Sequence, residues 1–192
     1  MGKLSGVRVV DLSHVLLGPM MSVMMADQGA EVINVEPAAG DPARDLAPCD
    51  TYGAGEHSVW FANLNRGKKS VVLDLKSEQG KAALRDLIAS ADIFVEGFRP
   101  GVMERNGLGP DEVLARNPKL VYGRMTGWGQ HGALSHSAGH DLNYIAITGA
   151  LHAMGDGDGR PRPPLNLIGD YGGGALYLAM GVLAAIINVK NG

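Results

Sequence analysis

Hydrophobic and polar positions along the first 126 residues alternate between short apolar runs and the wider spacing of amphipathic helices. The helical spacing is clearest at residues 78–90, where Leu84, Leu87 and Ile88 form one apolar face and Ser77 is placed to cap the first turn. The pattern predicts strands at residues 7–12, 31–35, 70–75, 93–96 and 120–126, and helices at residues 19–28, 78–90 and 110–116.

Strands separated by helices of this length are typical of right-handed βαβ crossovers and of a mostly parallel sheet. Pro19 suits the first position of its helix, and Gly29 suits a C-terminal cap. The sequence therefore predicts an α/β fold, in which residues 1–192 form one Rossmann-like domain with a mostly parallel sheet flanked by helices.

Three segments depart from this rhythm. Residues 36–66 are rich in Pro, Gly, Asp and Ala without a clear period, and we expect a long loop over a functional site. Residues 127–166 contain a predicted short helix at about 141–148 and a tight turn at 155–159. The most apolar stretch, residues 175–187, is shorter than the roughly 20 residues that cross a bilayer. We therefore expect a buried helix there and no membrane span.

Composition narrows the possible functions. The 17 Lys and Arg residues against 20 Asp and Glu residues give a net charge of -3, which argues against a nucleic-acid partner. The single cysteine, Cys49, forms neither an internal disulfide nor a cysteine-based metal cage. The N-terminus lacks the pattern of a secretory signal, so we predict a cytoplasmic location. Glycine supplies 28 of the 192 residues, which indicates an unusual need for close backbone approach.

Several short motifs do not support the function that they suggest. Residues 127–132 spell G-x-G-x-x-G after a predicted strand, but a loop-like run follows where a dinucleotide site needs a helix. Residues 156–159 are similar to the start of a calcium loop but lack its glutamate at the twelfth position. His131, His136, His140 and His152 do not have the spacing of metal ligands, and no metal is predicted.

His140 and Asp170 are the best candidates for acid–base chemistry. Asp170 lies at a predicted helix start, followed by glycines at 172–174 whose amides would be open to a developing oxyanion. A structural interpretation is also open, with Asp170 as an N-cap and the glycines packing the helix on the sheet. Asp141 is placed to cap the short helix after His140. From the residues alone, the structural interpretation of Asp170 is favoured.

Longer motifs carry more information. Residues 96–105 read Glu-Gly-Phe-Arg-Pro-Gly-Val-Met-Glu-Arg, and the segments around His140 and Asp170 are equally characteristic. On these motifs the chain resembles the family III CoA-transferases, the CaiB/BaiF superfamily, and its α-methylacyl-CoA racemase branch in particular. The matching segments are residues 4–12, 18–19, 27–33, 96–105, 124–130, 138–144 and 163–170.

The resemblance implies a role for each candidate. In the racemases, a histidine and an aspartate matching His140 and Asp170 are two bases that epimerise a 2-methylacyl-CoA thioester through an enolate. In the transferases, the aspartate is a nucleophile and the histidine is generally absent. Two alternatives stay open, namely a family III CoA-transferase that uses Asp170 and a truncated CoA-binding remnant without catalysis. The implied substrate is an acyl-CoA thioester, and no separate cofactor is expected because CoA is part of that substrate.

By the same resemblance, one set of residues binds CoA and supplies positive charge for its phosphates. Racemases often carry an arginine after the acidic residue of the second strand; here Pro37 follows Glu36, and Arg44 is the candidate substitute. The CoA-binding set comprises Leu73, Asp74, Leu75, Lys76, Gly97, Phe98, Arg99, Arg105, Gly139, Asp141, Leu142, Asn143 and Tyr144.

Family members also carry a second, smaller domain and form interlocked homodimers. The resemblance therefore implies that this chain is the N-terminal, CoA-binding half of such a protein. Its expected partner is a second copy, as in the full-length family, or a separately encoded C-terminal half.

Overall fold

A computed structural model of the protein describes residues 2–46, 58–155 and 159–192. Within these ranges, parallel strands form one sheet in the order β3-β2-β1-β4-β5. The predicted α/β fold and parallel sheet are confirmed. The strands are β1 (Arg8–Leu12), β2 (Glu31–Glu36), β3 (Lys69–Val72), β4 (Ile93–Glu96) and β5 (Val121–Arg124).

Helices cover both faces of the sheet. Helices α1 and α7 contribute to the core cluster on one face, and α3, α4 and α5 contribute to the cluster on the other. The α-helices are α1 (Leu17–Asp27), α2 (Val59–Asn65), α3 (Glu78–Ala89), α4 (Val102–Arg105), α5 (Pro110–Arg116), α6 (Asp141–Ile147) and α7 (Leu176–Asn191). Short 3-10 helices span Pro42–Asp45 and Ala150–Ala153, and a π-helical segment spans Leu167–Ala175.

The two central strands, β1 and β4, send successive side chains to opposite faces. Val9 and Val95 pack in the cluster that includes α1 and α7, whereas Val10 and Phe94 pack in the cluster that includes α3 and α5. Because both faces are covered, these strands need continuous apolar runs rather than alternation. This requirement explains why the sequence predicts both strands closely.

The predicted loop at residues 36–66 is only partly a loop. Glu36 ends β2, and α2 begins after Ser58, whose hydroxyl oxygen accepts a hydrogen bond from the Phe61 amide at 3.0 Å. Phe61 and Leu64 bury one face of α2, and this single apolar turn is too short to show a period in the sequence. Cys49 lies outside the described residues, as do residues 156–158 of the predicted tight turn.

The apolar C-terminal helix is longer and more exposed than the sequence predicts. The π-helical segment continues into α7, so one helix of 25 residues runs through Leu167–Asn191. By length and composition it is able to cross a membrane, a test that core helices of soluble proteins also pass. The expected buried helix is wrong, because only 22% of its apolar window is buried. Glycines 172–174 are helical, whereas the predicted apolar helix began only at residue 175.

Candidate active site

A cavity of about 910 Å³ opens beyond the carboxyl ends of β1, β4 and β5. The chain builds β1, β2 and β3 to one side and then returns to place β4 on the other side of β1. Loops therefore diverge between β1 and β4, which is where open parallel sheets form their ligand crevices. His14 follows β1 in this cavity, Phe98 follows β4, and His140 reaches it from the start of α6.

His140 lines the cavity, and Asp170 lies directly behind it without lining the cavity itself. The Nδ1 atom of His140 lies 3.6 Å from Oδ1 of Asp170. The Asp170 side chain is 2% exposed, whereas the imidazole is 66% exposed. His140 is the N-cap of α6, and Asp170 lies in the π-helical segment. The structure thus brings the two predicted candidates together as a buried carboxyl beside an accessible imidazole.

The environment of Asp170 favours its protonated form. Burial raises the pKa of the Asp170 carboxyl, the positive charge of a protonated His140 lowers it, and the negative charge of Asp141 raises it again. The net direction is upward, because burial outweighs the histidine. A raised pKa is the direction that a carboxyl acting as a general acid needs.

Asp141 has a different role from the one that the sequence predicts. Its carboxylate does not cap α6, where His140 is the N-cap and donates its backbone N–H to Oδ1 of Asn143 at 3.0 Å. Instead, Oδ2 of Asp141 accepts hydrogen bonds from the amides of Gly169, at 2.6 Å, and Asp170, at 2.9 Å. Asp141 therefore caps the helix that carries the other candidate.

The expected open amides at glycines 172–174 are not present. These residues lie inside the π-helical segment, where each amide N–H donates to a carbonyl five residues earlier. The two amides before them, those of Gly169 and Asp170, are occupied by Asp141. Of these glycines, Gly174 approaches helix α1 rather than the sheet, because a Cβ there would lie 2.3 Å from Leu17.

The structure brings together only part of the predicted CoA-binding set. Gly97, Phe98, Arg99, Gly139 and Tyr144 line the cavity together with His140. The remaining members do not line the cavity, and they are Leu73, Asp74, Leu75, Lys76, Arg105, Asp141, Leu142 and Asn143.

The residues of the set that do not line the cavity lie mainly at the edge strand β3 and at the end of α4. Leu73 and Leu75 follow the edge strand β3 and pack partly against the core cluster on the face of α3. The neighbouring Lys76 is exposed, and its backbone N–H donates to Asp74 Oδ1 at 2.9 Å. Arg105 is exposed at the end of α4. Strand β2 separates β3 from the strands that border the cavity. For this reason Leu73, Leu75 and Lys76 do not line the cavity, although they belong to the set that the family resemblance implies.

Arg44 does not supply free positive charge. Its guanidinium forms two hydrogen bonds of 2.8 Å with the carboxylate of Glu36 and stacks 3.8 Å from the centre of the Phe61 ring. Arg44 also does not line the cavity. The proposed substitution for the racemase arginine is therefore not supported by its position.

Sequence reasoning missed two cavity residues, His14 and Arg124. The Nε2 atom of His14 is buried without a hydrogen-bond partner among the described residues, and its ring contacts Phe98 edge-on at 6.5 Å. Arg124 ends β5, lies 3.3 Å from Glu96, and donates to Gln130 Oε1 at 2.8 Å. Both stand at the carboxyl ends of predicted strands, and that position was the available signal.

The G-x-G-x-x-G run lies in an irregular loop. Gly129 and Gly132 have positive φ angles of 77° and 105° in an irregular loop, and no helix opens after the G-x-G-x-x-G run. In the part of the chain that the structure describes, no group of three His, Cys, Asp or Glu side chains is arranged to hold a metal ion.

The chain is similar to known proteins over nearly its whole length. The sequence profile of CoA-transferase family III matches residues 4–192. An α-methylacyl-CoA racemase of Mus musculus is 43% identical over 95% of this chain and 43% of its own length. An acetyl-CoA:oxalate CoA-transferase of Acetobacter aceti is 37% identical over 96% of this chain and 47% of its own. The crystal structure of a CAIB/BAIF family protein from Brucella suis superposes with a TM-score of 0.92 and 31% identity, covering 99% of this chain and 50% of that one.

Proposed function

Since the chain belongs to CoA-transferase family III, we propose that it carries the catalytic pair of a 2-methylacyl-CoA racemase, with His140 and Asp170 as the two bases. The observation that carries this proposal is the 3.6 Å approach of a buried carboxyl to an exposed imidazole that lines the cavity. The racemase similarity supports it. The chain spans less than half the length of the two curated relatives, so the activity proposed is that of the whole protein.

The reaction needs a base on one side of the α-carbon and an acid on the other, here an imidazole and a carboxyl. In one direction, the neutral imidazole of His140 takes the α-proton, and the C–H electron pair enters the enolate of the thioester. Protonated Asp170 then delivers its proton to the opposite face, and the C–H bond that forms has inverted configuration. In the other direction, the Asp170 carboxylate is the base and protonated His140 is the acid. Burial raises the pKa of the Asp170 carboxyl, which is the direction that its role as an acid needs.

The geometry requires one movement. An α-carbon between two bases needs each of them at about 3 Å, so the two groups must stand roughly 6 Å apart during the reaction. The buried Asp170 is fixed by its helix, whereas the side chain of His140 is 66% exposed. We therefore expect the imidazole to turn outward when the substrate enters.

Deuterium exchange tests the proposal. A single-epimer 2-methylacyl-CoA in deuterated water is expected to gain α-deuterium in the presence of the protein. His140→Ala and Asp170→Asn are each expected to slow exchange by about 100-fold or more, because each removes one proton-transfer group.

Matched control variants are available on the surface. His152→Ala and Asp86→Asn change exposed residues that do not line the cavity, and both should exchange at the wild-type rate. Exchange that survives the loss of both His140 and Asp170 would overturn the proposal.

A family III CoA-transferase is the second candidate function. Two observations support it: the similarity to the Acetobacter aceti transferase, and the Oδ1 atom of Asp170, which has no hydrogen-bond partner among the described residues. In that function the Asp170 carboxylate would attack the thioester carbonyl, the C–S bond would break, and CoA thiolate would leave an acyl anhydride on Asp170. Attack of that thiolate on the Asp170 carbonyl would then release the acyl group as its carboxylate and leave CoA as a thioester on Asp170. Mass spectrometry of Asp170 after incubation with acyl-CoA separates the two functions, because the racemase forms no adduct. Acyl-CoA binding with neither exchange nor an adduct would favour the non-catalytic remnant.

We also propose the remaining partners from the sequence. The whole protein is expected to act in the cytoplasm as a homodimer, or to join a separately encoded C-terminal half. Subcellular fractionation tests the first expectation. Sedimentation of the whole protein at several concentrations tests the second.

A further inference from the structure

The Asp141 carboxylate joins two elements that are distant in the sequence. Asp141 begins α6, and its Oδ2 accepts from the amides of Gly169 and Asp170, which lie 28 and 29 residues further along the chain. The side chain is buried, with 3% exposure of the residue. Asp141 directly follows His140 in the chain, and its side chain accepts a hydrogen bond from the backbone of Asp170. Asp141 is therefore joined to His140 by a peptide bond and to Asp170 by a hydrogen bond.

We propose that Asp141 is a positioning residue that holds the helix of Asp170 against the first turn of α6, beside His140. The proposal rests on the proposed function, because it assigns Asp141 to the same proton transfer. It departs from the expectation that Asp141 contacts CoA, since Asp141 does not line the cavity.

Packing supports a specific attachment at this point. A Cβ at Gly169 would lie 2.9 Å from both the Cα and the carbonyl oxygen of Asp141. The two backbones therefore touch, and no side chain fits between them. A shift of Asp141 is transmitted directly to the residue before Asp170.

The charge of Asp141 also acts on the proton of Asp170. Oδ1 of Asp141 is buried and has no hydrogen-bond partner among the described residues, so its negative charge is little screened. This charge raises the pKa of Asp170 together with burial, and His140 opposes both.

Few other ionisable groups face Asp170. Tyr144 of α6 and Tyr171 of the same helix are near enough for their own pKa values to respond to it. Helix α1 packs on the segment through Leu17, and the only ionisable side chain of α1 is Asp27 at its far end. Asp141 is thus the one carboxylate in the described surroundings of Asp170 that acts on its proton.

Two substitutions separate the positioning role from the electrostatic one. Asp141→Asn keeps an oxygen that accepts the two amides but removes the charge, so the pKa of Asp170 should fall. Asp141→Ala also removes the acceptor, and kcat for α-deuterium exchange should fall by about 100-fold through misplacement of Asp170. In both variants KM should stay within about twofold of wild type, because Asp141 does not line the cavity.

The titration of Asp170 and kcat for exchange test the proposal independently of each other. Carboxyl carbon NMR of protein labelled at aspartate follows the titration of Asp170 without any reaction, with Asp86→Asn as the control. An unchanged Asp170 titration in Asp141→Asn overturns the electrostatic role, and a wild-type kcat in folded Asp141→Ala overturns the positioning role. Wild-type protein without exchange overturns the proposed function, while the NMR titration still decides whether Asp141 acts on Asp170. Should Asp141→Ala fail to fold, Asp141→Glu, which keeps the charge but displaces the acceptor by one methylene group, supplies the kcat measurement.

Discussion

At the scale of single residues, the partner of a buried carboxyl decides its charge. Glu36 and Glu96 each end a strand, and each is 2% exposed. Burial would raise the pKa of Glu36, but hydrogen bonds from Arg44, Ser70 and the Asp41 amide outweigh burial and lower it to about 2. Burial raises the pKa of Glu96 to about 7, because the hydrogen bond from the Phe98 amide and the charge of Arg124 oppose the effect of burial only in part.

The stability of the fold is therefore expected to depend on the protonation of Glu96. The folded protein holds this proton up to about pH 7, whereas the unfolded chain releases it near the usual glutamate pKa of 4.5. Stability from this group is complete below about pH 4.5 and is lost as the pH rises to about 7, a difference of up to about 3 kcal/mol. Urea unfolding at pH 5 and pH 8 measures it.

Glu96→Gln should remove this part of the pH dependence, because glutamine does not titrate. Asp111→Asn, a change on the exposed surface of α5, should keep the dependence of the wild type. A Glu96→Gln protein whose stability changes between the two pH values as the wild type does would contradict the prediction.

At the scale of the elements, local signals in the sequence succeed where an element is long or capped. Ser77 caps α3 through the Gly80 amide at 3.0 Å, and Pro110 stands in the first turn of α5, both as predicted. The signals fail for α2, which has a single buried turn, and at the start of the C-terminal helix. Helix α1 begins at Leu17, so Pro19 is its third residue rather than its first.

Two helical glycines are expected to respond oppositely to alanine. A Cβ at Gly80 would lie 2.1 Å from the carbonyl oxygen of Asp74, a backbone atom that cannot give way, so Gly80→Ala should destabilise the fold by about 1–3 kcal/mol. Gly181 in α7 has open space around its Cβ position, and Gly181→Ala should stabilise the fold by about 1 kcal/mol. Urea unfolding of both variants tests this pair, and a loss of stability in Gly181→Ala would contradict it.

At the scale of the whole molecule, the C-terminal helix presents an apolar face that the described chain does not cover. Ala175, Ala179, Val182 and Ile186 form its buried stripe. The opposite side exposes Leu176, Tyr177, Met180 and Ile187 at 51%, 67%, 61% and 60%. Contiguous apolar exposure of this kind is typical of a surface that another chain or segment covers.

Polar substitution of this face should reduce the apolar surface without cost to the fold. A Met180→Gln and Ile187→Gln double variant is expected to bind less of a hydrophobic dye and to self-associate less in sedimentation. Its free energy of unfolding should stay within about 0.5 kcal/mol of wild type for each change. Val182→Gln, on the buried stripe of the same helix, is the contrasting variant and should lose about 2 kcal/mol or more. Unchanged dye binding in the double variant would contradict this assignment of the face.

The sequence by itself determined the order and type of the main elements, the parallel sheet, the family and the two candidate bases. These follow from periodicity, caps and motifs, which depend on residues close together in the chain. Only the tertiary structure decided that Asp141 caps the helix of Asp170, that Arg44 pairs with Glu36, and that the apolar C-terminal helix lies largely exposed. Those outcomes depend on contacts between distant segments and on burial, and a linear pattern of residues carries neither.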